Sequence, residues 1–116
     1  MSVIRTLPDG STERLRGESI RAYAGEVFRR HNAASSALLE ALPFLEAEAP
    51  EVAEKLLGAE ETMNSACAPV DAVAVRHRDG ESVDLGDQLA FARALESCER
   101  ETAALETLLA AASGSA

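Results

Sequence analysis

The chain holds 116 residues, 47% apolar and 27% charged, a length for one domain and a globular rather than disordered composition. Twenty acids against eleven bases leave a net charge of −9, the wrong sign for non-specific nucleic-acid binding, and with no Trp and 3% aromatics neither a base-stacking surface nor an aromatic-lined pocket is expected. No run of about 18 apolar residues is available to span a membrane, and the opening MSVIRTLPDGSTERLRG has no apolar leader core, so the reading is cytoplasmic, with no membrane partner.

The first 17 residues differ from the rest. Val3-Ile4-Arg5-Thr6-Leu7 is β-prone, Thr12-Glu13-Arg14-Leu15-Arg16 forms a second short candidate strand, and Pro8-Asp9-Gly10 stands between them. Proline presets φ and glycine tolerates positive φ, so residues 1–17 read as a hairpin or extended arm. Alone it would be marginal and must pack on something else.

Residues 18–113 read as a helical bundle. Ile20, Ala24, Val27, His31, Ala34, Leu38, Ala41 and Leu45 recur at alternating steps of four and three. Val52, Leu56, Ala59, Met63, Ala66, Val70, Val73 and His77 repeat the beat, as do Leu85, Gln88, Ala92, Leu95, Cys98, Thr102, Leu105, Leu109 and Ala112, with one extra three-residue step near Leu95. Such spacing puts each set on one helix face, and the extra step is a stammer that turns the face slightly. Gly17 or Ser19 caps the first helix, Pro43 threatens its last turn through the carbonyl of Leu39, and Pro50-Glu51 opens the second. Asp79-Gly80 closes the second helix, Ser82 or Asp84 starts the third, and Gly114 ends it. Short connections force antiparallel neighbours. The expected fold is all-α: an up-down-up bundle of three long, coiled-coil-like helices with a short N-terminal β-hairpin. A competing pattern runs through Val70–His77, whose period-two alternation before Asp79-Gly80 also suits a strand paired with 81–85; the unbroken helical spacing from Val52 to His77 favours helix.

Counted from the expected bundle end, His31, Cys67 and Cys98 lie thirteen, twelve and fifteen residues deep and share one layer. Two thiolates and an imidazole form a soft-metal set, so His31, Cys67 and Cys98 are candidate metal ligands. Alternatively the two cysteines bridge the second and third helices if their Cα atoms come within about 7 Å. The ordinary reading is a pair of buried free thiols, the default in a reducing compartment. His77, between Arg76 and Arg78, reads as a cationic helix C-terminus before it reads as an anion site. The carboxylates Glu60, Glu61, Glu96, Glu99 and Glu101 lack the Glu-x-x-His pairs of a di-iron bundle. No nucleophile–base pair or phosphate loop is present, so no cofactor and no enzymatic activity are expected.

Charge is uneven. Residues 40–62 hold seven acids against Lys55, and residues 1–30 hold six arginines against four acids, a polarity that suits orienting a partner or stacking copies head to tail. Alanine-rich seams make a thin core, and Leu39, Leu57, Phe91 and Leu108, beside the seams, widen the apolar face into a candidate partner-binding surface. Gly25 and Gly58 fall inside helices, where close helix approach is one reason for a glycine. The functional expectation is a small acidic bundle, bacterial in its Ala-, Leu-, Glu- and Arg-rich composition, acting in protein–protein interaction as an adaptor, regulator or structural element and assembling as a homodimer. The alternative is a metal-binding or redox-sensing bundle.

Overall fold

Alternation of apolar and polar residues about a Pro-Asp-Gly turn produces the hairpin. In the computed structural model, which describes residues 2–78, 80 and 85–114, β1 (Ser2–Thr6) and β2 (Thr12–Arg16) pair antiparallel, from Ser2 opposite Arg16 to Thr6 opposite Thr12. Gly10 takes φ of +88° at the turn, and the Ser11 amide donates to Asp9 Oδ1 at 2.9 Å, an Asx-type closure. Val3 and Leu15, opposite one another, are the buried pair that attaches the hairpin to the helices.

Three helices follow: α1 (Glu18–Glu48), α2 (Pro50–Arg78) and α3 (Leu85–Gly114). Gly17, not Ser19, caps α1; its carbonyl accepts from the Ile20 and Arg21 amides, and its φ of 54° is one that glycine adopts without a Cβ penalty. Helix α1 runs through Pro43 to Glu48. The threatened turn survives although the Leu39 carbonyl loses its helical partner to the proline; Leu39 itself is 71% exposed. One residue, Ala49, joins α1 to α2. Its amide donates to the Leu45 carbonyl, and its own carbonyl accepts from Val52 and Ala53. Pro50 then sits at the first helical position, where its missing N–H costs nothing.

Helix α2 continues through Pro69 to Arg78, so the strand reading of Val70–His77 gives way to helix. Residues 81–84 of its proposed partner strand and the expected caps Asp79, Ser82 and Asp84 lie outside the described residues, as does the side chain of His77, and Leu85 begins α3. Gly80 takes φ of +80°, as a helix-terminating glycine does.

The core is the three seams facing inward: Ile20, Val27, Leu38 and Leu45 from α1, Leu56, Met63 and Val70 from α2, and Leu95, Cys98 and Leu105 from α3. Ala94, outside the third seam, is buried beside Leu95. Close helix approach does not explain Gly58: a Cβ there would meet nothing within 4 Å, and at Gly25 it would meet only the mobile end of Arg29. Gly58→Ala is therefore expected to stabilise the protein by about 1 kcal/mol, read as a shift in denaturation midpoint with unchanged slope.

Candidate functional site: the α1–α3 groove and its ion-pair network

The hairpin lies along the groove between α1 and α3, and Arg5 of β1 makes the junction together with Tyr23, Glu26 and Arg30 of α1 and Glu99 and Glu106 of α3. Arg5 shares the inward face of β1 with Val3. Its Nη2 donates to Glu99 Oε2 on α3 at 2.8 Å and to Glu26 Oε1 on α1 at 3.2 Å, and its Nε donates to Glu99 Oε2 at 3.2 Å. The guanidinium also stacks over the ring of Tyr23, 4.6 Å from the centroid. Tyr23 Oη donates to Glu99 Oε1 at 2.9 Å. Arg30, two turns further along α1, reaches Glu99 Oε2 at 3.2 Å and forks onto Glu106 at 2.6 and 3.1 Å. Tyr23–Glu99 and Arg30–Glu106 are both 76 residues apart, so α1 and α3 run parallel in a single register.

Glu99 is the hub. Its side chain keeps 14% of its surface exposed, against 17% for Arg5 and 29% for Arg30. At that burial, charge-assisted pairs are screened little by salt. Hydrogen bonds to Glu99 and Glu106 hold the Arg5 and Arg30 guanidinium groups even more firmly in their charged forms. Beside this network the groove opens to about 650 Å³ between Thr6–Pro8, Glu26, Glu96 and Arg100. Both Glu99 oxygens are occupied by donors, so the arrangement works as a clamp on the hairpin.

Burial, then the hydrogen bond to Glu99, push the Tyr23 phenol well above its ordinary range. A folded pKa above the unfolded value of about 10 means the stabilisation is complete below pH 10 and is lost as pH rises beyond it, because the unfolded chain ionises first. Tyr23 is the only tyrosine and Lys55 the only lysine, so the alkaline limb is simple to read. Phenolate absorbance is expected to rise only together with unfolding, and Tyr23→Phe to flatten the fall in melting temperature above pH 10.

Cys67 and Cys98 do come together, as a disulfide with Cα atoms 4.6 Å apart. The ordinary expectation of free thiols is thereby corrected: among the described residues no cysteine is free. The two seams face each other at the same depth, which leaves the sulfurs in contact and 0–1% exposed, with Thr102 Oγ1 3.8 Å from the Cys67 sulfur. His31 does not join them. Its Nε2 pairs with Asn64 Oδ1 at 2.9 Å, while Nδ1 is buried with no partner. Bridged sulfurs are not thiolates and cannot ligate as the soft-metal set requires; among the described residues no three His, Cys, Asp or Glu side chains converge on a metal position.

Of the four expected partner-binding residues, Leu39 and Leu57 are exposed, whereas Phe91 and Leu108 are half-buried against the core. The His31–Asn64 bond fixes the antiparallel register of α1 and α2. Eight residues up from His31 and seven back from Asn64, Leu39 and Leu57 stand about level along the bundle, at about 1.5 Å per residue. The expected polarity is partly internal, since Arg5 and Arg30 are neutralised within the clamp while Arg14, Arg16, Arg21 and Arg29 remain on the surface. Sequence reasoning missed the clamp itself. Its signals were present: an arginine in phase with Val3, a tyrosine between Ile20 and Val27, and Glu99 and Glu106 seven residues apart beside the α3 seam. No protein-family model, curated protein or solved structure matches this chain.

Proposed function

We propose that this protein is a non-enzymatic interaction module, a small acidic helical bundle that binds protein partners and itself, with adaptor, regulatory or structural work to do and no nucleic-acid partner. One observation carries the reading: Leu39 and Leu57, 71% and 41% exposed, stand level on the outer face of α1 and α2, where two large apolar side chains gain nothing until another surface covers them. Sedimentation across a wide concentration range, with capture from the source cells by the wild type and by Leu39→Glu/Leu57→Glu, tests it. Both positions are exposed, so the variant keeps its fold and loses the captured protein partner. A wild type that stays monomeric and captures nothing the variant does not would overturn the reading.

The disulfide favours a second, redox-sensing reading that uses Cys67 and Cys98 without His31. No helix among the described residues is long and apolar enough to cross a membrane. In a reducing compartment such a bridge forms and breaks with the redox state; in an oxidising one it is a permanent staple. Trapping the thiols by alkylation in living cells separates the two.

A further inference from the structure

The α1–α3 groove is covered along only part of its length. Glu26, Arg30, Ala37, Ala41 and Phe44 follow one face of α1, and Glu96, Glu99, Ala103, Ala110 and Ser113 follow one face of α3. The hairpin lies over the first part of both sets. Beyond it the groove is bare: Ala37, Ala41, Phe44 and Leu45 face Leu109, Ala110, Ala112 and Ser113 around an apolar hollow of about 380 Å³. Phe44 on its rim is 68% exposed.

The two halves are complementary in shape and charge. The hairpin is a ridge whose outward residues, set by the alternation that buries Val3 and Leu15, are Ile4, Thr6, Thr12, Arg14 and Arg16. All are exposed and none is acidic, and Ile4, 50% exposed, sits directly opposite Arg14. The bare half is a depression with no basic residue in its lining. Exposed Glu40 and Glu48 lie one turn before and one turn after Phe44, and neither α1 nor α3 has a base in its last turn to offset the negative end of its dipole. Lengths agree as well: five strand residues span about 17 Å, as do the eleven helical steps from Ala37 to Glu48 at about 1.5 Å each.

Because ridge and depression share one face at different heights, a two-fold axis between them lays each hairpin into the other copy's hollow, closing both contacts at once. We infer that a second copy of this chain covers the α1–α3 face, as an antiparallel two-fold dimer in which Ile4, Arg14 and Arg16 of each protomer meet Phe44, Glu40 and Glu48 of its partner. Two adjacent helices present a face about 20 Å wide. Over a length of 48 Å this offers on the order of 900 Å², against roughly 800 Å² per partner in a standard interface. This rests on the reading of the chain as a self-associating module and names the surface.

The test is a charge swap on the full chain, followed by light scattering and sedimentation at low and high salt, with circular dichroism to confirm folding. Arg14→Glu/Arg16→Glu and Glu40→Lys/Glu48→Lys change only exposed positions. Each is expected to weaken dimerisation at least about tenfold, and an equimolar mixture of the two to restore it as a heterodimer, since both contacts are then again between opposite charges. A dimer indifferent to both swaps but broken by Leu39→Glu/Leu57→Glu would overturn the inference while leaving self-association standing. A wild type monomeric at every concentration would overturn the inference together with the self-association it rests on.

Discussion

Reduction of the Cys67–Cys98 bridge is expected to destabilise the protein by about 3–4 kcal/mol, enough to lower the melting temperature by roughly 10 °C or more for a chain of this size. The bridge ties residues 31 apart and encloses the whole connection between α2 and α3. In the chain-entropy account, a loop of that length removes about 3–4 kcal/mol of freedom from the unfolded state. Reduction by itself removes no heavy atom and so empties no volume. Replacing both cysteines with alanine also empties volume in a fully buried layer and is expected to cost a further ~1 kcal/mol or more. Denaturant slopes separate the two effects. The cross-linked chain unfolds to a more compact ensemble, so the reduced protein should show the steeper dependence, whereas the cavity moves only the midpoint. With both sulfurs sealed from water, a thiol reagent acts only on opened molecules, and the rate of reduction should follow the opening of α2 from α3. Equal midpoints for oxidised and reduced protein would show that the bridge contributes nothing to the fold.

The bundle was legible because its information is periodic. Three seams with a four-three beat specify which face of each helix turns inward, and Leu38, Leu56, Met63, Leu95 and Leu105, read from spacing alone, are essentially unexposed. Depth counted from a shared end also placed Cys67 opposite Cys98, because straight antiparallel helices convert sequence distance into height. Rotation about each axis is what such counting lacks. It decided that His31 meets Asn64 rather than the sulfurs, and that Phe91 and Leu108 pack on the core while Leu39 and Leu57 stay in water. The clamp was hidden for a different reason. Arg5 and Glu99 are 94 residues apart and meet only because the hairpin lies across α1 and α3, a placement set by two apolar residues, Val3 and Leu15, too few to register as a pattern. Pro43 misled in the opposite sense: its cost falls on one turn, and the helix runs on through it to Glu48, because helical residues on both sides outweigh a local penalty.

That clamp has a measurable weight. Glu99→Ala is expected to destabilise the protein by about 2–4 kcal/mol, with the loss concentrated in the hairpin. The Tyr23 hydroxyl, on a residue 2% exposed, would lose its only acceptor in the network, at the desolvation cost of a buried donor, about 1–3 kcal/mol. Arg5 and Arg30 would each lose one carboxylate but keep another, Glu26 and Glu106, which holds the total below that of a fully orphaned buried charge. Glu99→Gln retains an acceptor for Tyr23 while discarding the charge and should fall between alanine and wild type. Glu96→Ala, an exposed glutamate on the same helix, should change stability by no more than about 0.5 kcal/mol. Tyr23→Phe combined with Glu99→Ala should cost less than the sum of the two, because they remove one interaction. Hydrogen exchange locates the effect: amides paired between β1 and β2 should lose protection first while the α2–α3 pair, tied by its disulfide, holds. A two-stranded hairpin is marginal without a surface to pack on, so releasing Arg5 frees the ridge that carries Ile4, Arg14 and Arg16, and self-association through the α1–α3 face should weaken in the same variant. Uniform loss of protection across all three helices, or a midpoint within about 0.5 kcal/mol of wild type, would remove Glu99 from its place as the hub that joins hairpin to bundle.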